Sequence, residues 1–171
     1  VEAINAQRRK RAPGGRLRGA STDDTEVRRN SSLALDYITA VPHMALYVQR
    51  STQIYDISLR HVSAEDVHVY SIDEVFIDIT GYLRTSGMNA RSFTMMLVRE
   101  VLEETGVTAT AGIGSNMYLA KVAMDIVAKH AKPDALGMRL AYLDEMGYRR
   151  ALWTHEPLTD FWRIGAATAR K

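Results

Sequence analysis

The stretch V-H-V-Y-S-I-D-E-V-F-I-D-I-T, residues 67–80, constrains the fold more than any other. Two apolar, β-branched runs, Val67–Tyr70 and Val75–Ile79, flank a tight S-I-D-E centre. Phe76, Asp78 and Thr80 alternate with Val75, Ile77 and Ile79, the period of a half-buried strand. Two strands this close in sequence are expected to pair as an antiparallel hairpin. Asp73 and Glu74 sit side by side in this oily segment. Desolvating two like charges is costly unless a cation or a basic partner neutralises them. Adjacent residues on a strand face opposite sides, so the pair can share one ion only where the backbone turns or bulges. Two readings stand at this point: a hairpin tip with two solvated acids, or a divalent-metal site at a strand corner. Composition alone favours the first.

A chain of 171 residues suits one domain, or one domain with a small appendage. Its 46% hydrophobic and 25% charged content is that of a soluble globular protein. The absence of cysteine excludes a disulfide scaffold and a thiolate metal site, and fits a cytoplasmic location. No apolar run reaches membrane-spanning length and no secretory signal opens the chain, so no membrane partner is expected. The start at Val1 and the ending in mid-motif lead us to expect a piece of a longer protein. Charge is uneven. Arg8, Arg9, Lys10, Arg11, Arg16, Arg18, Arg28 and Arg29 outnumber Glu2, Asp23, Asp24 and Glu26 in residues 1–32. Such a basic segment can hold a polyanion beside an acidic centre, or can be a solvated loop.

Taken in order, Glu2 to Arg11 reads as a helix stopped by Pro13-Gly14-Gly15, residues 12–32 as an irregular excursion, and Leu33–Ala40 as a short strand. From His43 to Leu59, Met44, Tyr47, Val48, Ile54, Tyr55 and Leu59 recur near helical spacing. Gly81–Gly87 reads as a connector. Asn89 caps a predicted helix to Thr105 that Gly106 ends, with Phe93, Met96, Leu97, Val101 and Leu102 inward. Val107–Ile113 is the third strand candidate. A helix follows from Gly114-Ser115-Asn116 to about Lys129, with Leu119, Val122, Ala123 and Ile126 as its buried stripe. Met138–Leu140 is a last strand and Asp144–Trp153 a last long helix. This order argues for an α+β fold with helices packed on one face of a ferredoxin-like sheet.

Three further features bear on chemistry. Gly112-Ile113-Gly114-Ser115-Asn116 passes from strand to helix, where backbone N–H groups can meet a phosphate, although a tight turn explains it equally. Lys132, fixed before Pro133, can aim an ammonium at a triphosphate, although an exposed lysine is the commoner case. Leu158 to Ala169 reads as a helix, an Ile164-Gly165 turn and the start of a second helix, a form whose backbone amides hold a nucleic-acid phosphate. The five histidines show no zinc spacing.

In this order the pieces resemble the Y-family of lesion-bypass DNA polymerases, most closely the UmuC-type branch. The resemblance rests on Tyr70–Thr80, on T-A-T-A-G-I-G-S-N-M-Y-L-A-K-V-A-M-D (Thr108–Asp125), on Lys132-Pro133-Asp134 with Gly137, and on L-T-D-F-W-R-I-G (Leu158–Gly165). It shifts the weight to the metal reading. It implies residues 1–41 as a partial fingers-like segment, 42–145 as a palm and 146–171 as the start of a helix-hairpin-helix thumb. Asp73 and Glu74 would be catalytic ligands of two Mg²⁺ ions about 3.5–4 Å apart. Lys132, with Asn116 and Lys121 beside it, would face the nucleotide. Arg163, Ile164 and Gly165 would touch DNA. Primer-template DNA and deoxynucleoside triphosphates are the implied partners, with a sliding clamp or accessory subunits as further ones in the parent.

The chain also departs from the family pattern. No strand with a third aspartate and a ribose-excluding aromatic precedes Val1, and the fingers tyrosine and arginine and the little-finger domain have no counterpart. Val75 replaces a small residue, and Lys132 lies a few residues late. The expectation is therefore translesion synthesis by the parent with little activity in the fragment. A non-catalytic DNA-binding palm and a nucleotidyl cyclase are the alternatives.

Overall fold

The computed structural model describes residues 1–170, which form two compact units, residues 1–43 and 44–170. In the first, α1 (Glu2–Arg11) ends at Ala12 as its Pro-Gly-Gly sequence demands. Residues 12–32 are more regular than expected. They hold β1 (Gly19–Ser21) and α2 (Asp24–Arg29), and β1 pairs in parallel with β2 (Leu33–Leu35). The missed signal is Asp23, whose side chain accepts the N–H groups of Thr25 and Glu26 and so starts α2. Arg8 is internal wiring rather than a free cation. Its guanidinium donates to the carbonyls of Leu33, Val27 and Asn30 at 2.7–2.8 Å and so ties α1 to α2 and β2.

The second unit opens with α3 (Met44–Leu59), a helix in the expected place. Ile57 and Ser58 are buried, whereas Met44, Tyr47 and Val48, which recur near helical spacing, are exposed. Next comes the hairpin, β3 (Val67–Ser71) antiparallel to β4 (Glu74–Ile77), with Val67 opposite Ile77 and Ser71 opposite Glu74. The segment 81–87 is not a connector. Asp78 Oδ1 accepts the Thr80 N–H and starts α4 (Thr80–Ser86), whose Tyr82 and Leu83 pack with Val67 and Ile77 against buried Val62, Phe93 and Leu97. Asn89 caps α5 (Ala90–Thr105), and Gly106 ends it at φ 71°, a conformation that costs glycine little.

The rest is a β-α-β unit. β5 (Thr110–Gly114) pairs in parallel with β6 (Arg139–Leu143), and between them runs α6 (Met117–Val122). The predicted single helix to Lys129 instead continues from α6 as a π-helical turn, Ala123–Val127, and a 3₁₀ turn, Ala128–His130. Leu119, Val122, Ala123 and Ile126 are buried as expected, and the last three share a core with Ala141, Leu143, Leu152 and Phe161. Asp144 caps α7 (Glu145–Leu152). The helix expected near Leu158 is one 3₁₀ turn, Leu158–Asp160, and a short α8 (Ala166–Ala169) follows Gly165. Among the described residues the strands form three two-stranded sheets, and no ladder joins β3–β4 to β5–β6. The class is α+β. Among the described residues, no helix is long and apolar enough to cross a membrane.

Candidate catalytic hairpin

The S-I-D-E tip turns sharply between its two strands. The β3–β4 register breaks between Val69 and Ser71, and Ile72-Asp73 form the turn. Asp73 is exposed, and its Oδ1 accepts the Ser71 hydroxyl at 2.7 Å. Glu74 begins β4, and on this strand Phe76 shares its face. Its Oε1 lies 2.5 Å from Lys121 Nζ. The two carboxylates therefore have different surroundings, one open to solvent and one held by a lysine. Among the described residues no group of three or more His, Cys, Asp or Glu side chains is arranged to hold a metal. Behind the tip, Ser51, Ile54 and Tyr55 of α3 and Val69, Ile72 and Asp73 of the hairpin line a cleft of ≈ 210 Å³. A larger cleft of ≈ 400 Å³ lies at the other end of the hairpin, beside Asp66 and Asp78. Its acids already have partners, since Asp66 accepts the Tyr82 hydroxyl and Asp78 the Thr80 N–H.

Lys121 reaches Glu74 because two glycines let α6 lie almost on the backbone of β5. A Cβ at Gly112 would fall 2.1 Å from the Ala120 carbonyl oxygen, and one at Gly114 would fall 2.3 Å from the Ala120 nitrogen. The G-I-G sequence thus serves helix-on-strand contact in this chain. Asn116 likewise is the N-cap of α6, its side-chain oxygen accepting the Leu119 N–H at 2.9 Å. Lys121 is only 7% exposed. Its second acid, Asp125 Oδ2, is 3.0 Å away, and the Tyr70 ring centroid lies 5.7 Å from the ammonium. Burial alone would lower the Lys121 pKa, but the hydrogen bonds to Glu74 and Asp125 outweigh it and hold the pKa above that of ordinary lysine. Burial would raise the Asp125 pKa, and bonds from Lys129 and Lys121 bring it below the usual carboxylate value. In this structure Asn116 caps a helix and Lys121 pairs two carboxylates.

Lys132 is exposed in a turn that Asp134 closes, its Oδ1 accepting the Leu136 and Met138 N–H groups. Further on, Ile164 packs against the core beneath α7 and Gly165 caps α8. Arg163 takes a left-handed conformation, φ 66°, with its guanidinium 4.8 Å from the Trp162 ring centroid. Trp162 stands between Tyr70, Phe76 and Tyr118, with ring centroids 5.7–6.4 Å away, and donates its Nε1–H to the Tyr70 hydroxyl at 3.0 Å. Sequence reading missed this aromatic stack and Asp125. Only Asp125 had a legible signal, the spacing Lys121, Asp125, Lys129 that places three charges on one helix face.

The impB/mucB/samB family model matches residues 24–125, a span containing both motifs whose side chains meet at Glu74 and Lys121. The chain belongs to the impB/mucB/samB family. Within curated proteins it is 33% identical over 129 residues to the "Putative UV-damage repair protein UvrX" of Bacillus subtilis, covering 75% of this chain and 28% of the relative. It is 31% identical over 139 residues to DNA polymerase IV of Shewanella woodyi, covering 81% and 35%. This impB/mucB/samB chain thus spans about a third or less of the length of these relatives. Among solved structures its fold is that of DinB from Sulfolobus solfataricus, with TM-score 0.57 and 21% identity over 85% of this chain and 38% of that one. The insertion ternary complex of Dbh DNA polymerase gives TM-score 0.58 at 21% identity, with the same two coverages.

Proposed function

We propose that the chain is the palm-centred part of a translesion DNA polymerase, which adds deoxynucleotides to a primer opposite damaged template bases. In this reading residues 1–41 are fingers-like, 42–145 form the palm and 146–171 begin the thumb. The observation that carries it is the meeting of two separate family motifs in space. S-I-D-E lies on the hairpin and A-G-I-G-S-N-M-Y-L-A-K on β5–α6, and they join where Glu74 meets Lys121. The relatives' names, a UV-damage repair protein and a DNA polymerase IV, support the same activity.

Asp73 and Glu74 are the metal-binding carboxylates of this proposal. Their donor chemistry fits Mg²⁺, which prefers hard oxygen ligands and completes its shell with water and phosphate oxygens. Asp73 Oδ2 and Glu74 Oε2 have no hydrogen-bond partner among the described residues, so each can take a ligand. When bound, Mg²⁺ supplies charge stabilisation to the attacking primer oxygen and the pyrophosphate leaving group. The chain's own groups prepare that site. Ser71 orients Asp73, and Lys121 holds Glu74. The exposed Lys132 ammonium binds the triphosphate of the incoming nucleotide, and Asn116, by capping α6, keeps Lys121 in place. Arg163, Ile164 and Gly165 meet the DNA backbone.

Primer extension past an abasic site, by the intact parent protein with Mg²⁺ and four deoxynucleotides, tests the reading. Asp73→Ala is expected to cut extension at least about 10³-fold while primer-template affinity, measured by fluorescence anisotropy, stays within about 2-fold. Extension that survives this substitution refutes the assignment.

A further inference from the structure

Lys121 has more partners than the proposed chemistry requires. Its ammonium is buried, donates to Glu74 Oε1 at 2.5 Å and to Asp125 Oδ2 at 3.0 Å, and lies near the Tyr70 ring. Asp125 sits in the π-helical turn that interrupts the helix after Val122, and its other oxygen, Oδ1, is held by Lys129 at 2.6 Å. π-turns inside helices are frequent at functional positions. Four charges, Glu74, Lys121, Asp125 and Lys129, thereby form one neutral chain from the hairpin tip to the helix surface.

A buried ammonium cannot be left without an anion. A divalent cation taking Glu74 would place a second positive charge on a carboxylate that Lys121 already holds. That is tolerable if the ammonium has another acid within reach, and Asp125 is that acid. We infer that Lys121 is a positioning residue, one that holds Glu74 in the cation-free protein and withdraws to Asp125 when a divalent cation takes Glu74. This rests on the reading of Asp73 and Glu74 as metal ligands. Asp125 then sets how much of the ammonium Glu74 must share, and so tunes the cation concentration at which the site fills.

Mn²⁺ serves as the probe, with free ion counted by electron paramagnetic resonance during titration of the intact parent protein. Asp125→Asn keeps the shape and removes the alternate seat, so half-saturation should rise at least 3-fold. Lys121→Met removes the competitor, so half-saturation should fall at least 3-fold. The half-saturating Mg²⁺ in primer extension should move in the same two directions. If both variants merely lower the melting temperature and leave Mn²⁺ half-saturation within 2-fold of wild type, the network is structural and the inference is overturned. Shifts of the same sign in both variants overturn it too. Should Lys121→Met fail to fold, the near-isosteric Asp125→Asn decides alone. Asp73→Ala separates the two proposals: Mn²⁺ binding that persists unchanged in that variant contradicts the metal assignment itself, whereas lost binding there with unshifted Asp125→Asn contradicts only the relay.

Discussion

At Gly112 and Gly114, the lack of a side chain fixes the distance between a strand and the helix it carries. A methyl group at either position would overlap the backbone of α6, with Ala120 in the way at 2.1–2.3 Å, and no side-chain rotation can relieve a backbone clash. Gly112→Ala and Gly114→Ala are each expected to lower stability by about 3 kcal/mol or more, measured by urea unfolding. Gly81 is the control, for it lies in α4 with nothing within 4 Å of a built Cβ, and Gly81→Ala should stabilise by about 0.5–1 kcal/mol. If the three variants behave alike, the close approach of α6 to β5 is not what these glycines provide. Asn116→Ala should cost about 1 kcal/mol through the lost cap. These residues show what was legible at this scale. Their types stood out in the sequence as a strand-to-helix junction, but a glycine that admits a phosphate and one that admits a neighbouring helix are the same letter. Only the position of Ala120 separates them.

Elements were legible where both ends carried their own chemistry. Asn89 and Gly106 bracket α5 as expected, because a side-chain cap and a left-handed glycine are local signals. The turn of helix at Thr80–Ser86 was hidden, since Gly81 and Gly87 punctuate it while its support comes from Asp78 and from Phe93 across the core. The buried face of α3 was not legible for a similar reason. Which face is inward depends on α5, and the contact is fixed by ion pairs absent from any periodicity. Arg60 bonds Glu100 and Glu104, and His61 Nε2 lies 2.5 Å from Glu100. The His61 hydrogen bond foremost, helped by Arg60 and against some burial, holds the Glu100 carboxyl below the usual carboxylate range. A depressed pKa contributes stability above the unfolded value of about 4.3, and that contribution is lost as pH falls through the folded pKa. Melting temperature should therefore fall more steeply below pH ~4.3 in wild type than in Glu100→Gln, with the two curves converging at low pH. Parallel curves would show that Glu100 does not link α3 to α5 in this way.

Within the second unit, the distant parts of the sequence are joined through Trp162. Tyr70 and Phe76 come from the hairpin, Tyr118 from α6, and Trp162 from the segment that leads into α8. The order of elements could be read along the chain, because each motif announces its own strand or helix. Their convergence could not, since a tryptophan next to Phe161 reads as ordinary core and nothing local points to Tyr70. Phe161 does enter the core, while Trp162 turns the other way onto the hairpin. The contact combines apolar area, edge-to-face ring geometry at 5.8 Å and one N–H···O bond at 3.0 Å. Trp162→Ala should destabilise this unit by about 2–3 kcal/mol, and Tyr70→Phe by about 1 kcal/mol through the lost hydroxyl acceptor. Because one bond is shared, the double variant should lose less than the sum of the singles, with a coupling of about 0.5–1.5 kcal/mol. Full additivity in urea unfolding would mean that the hairpin and the segment before α8 are stabilised separately, and that Arg163, stacked on the same indole, is not positioned by the hairpin.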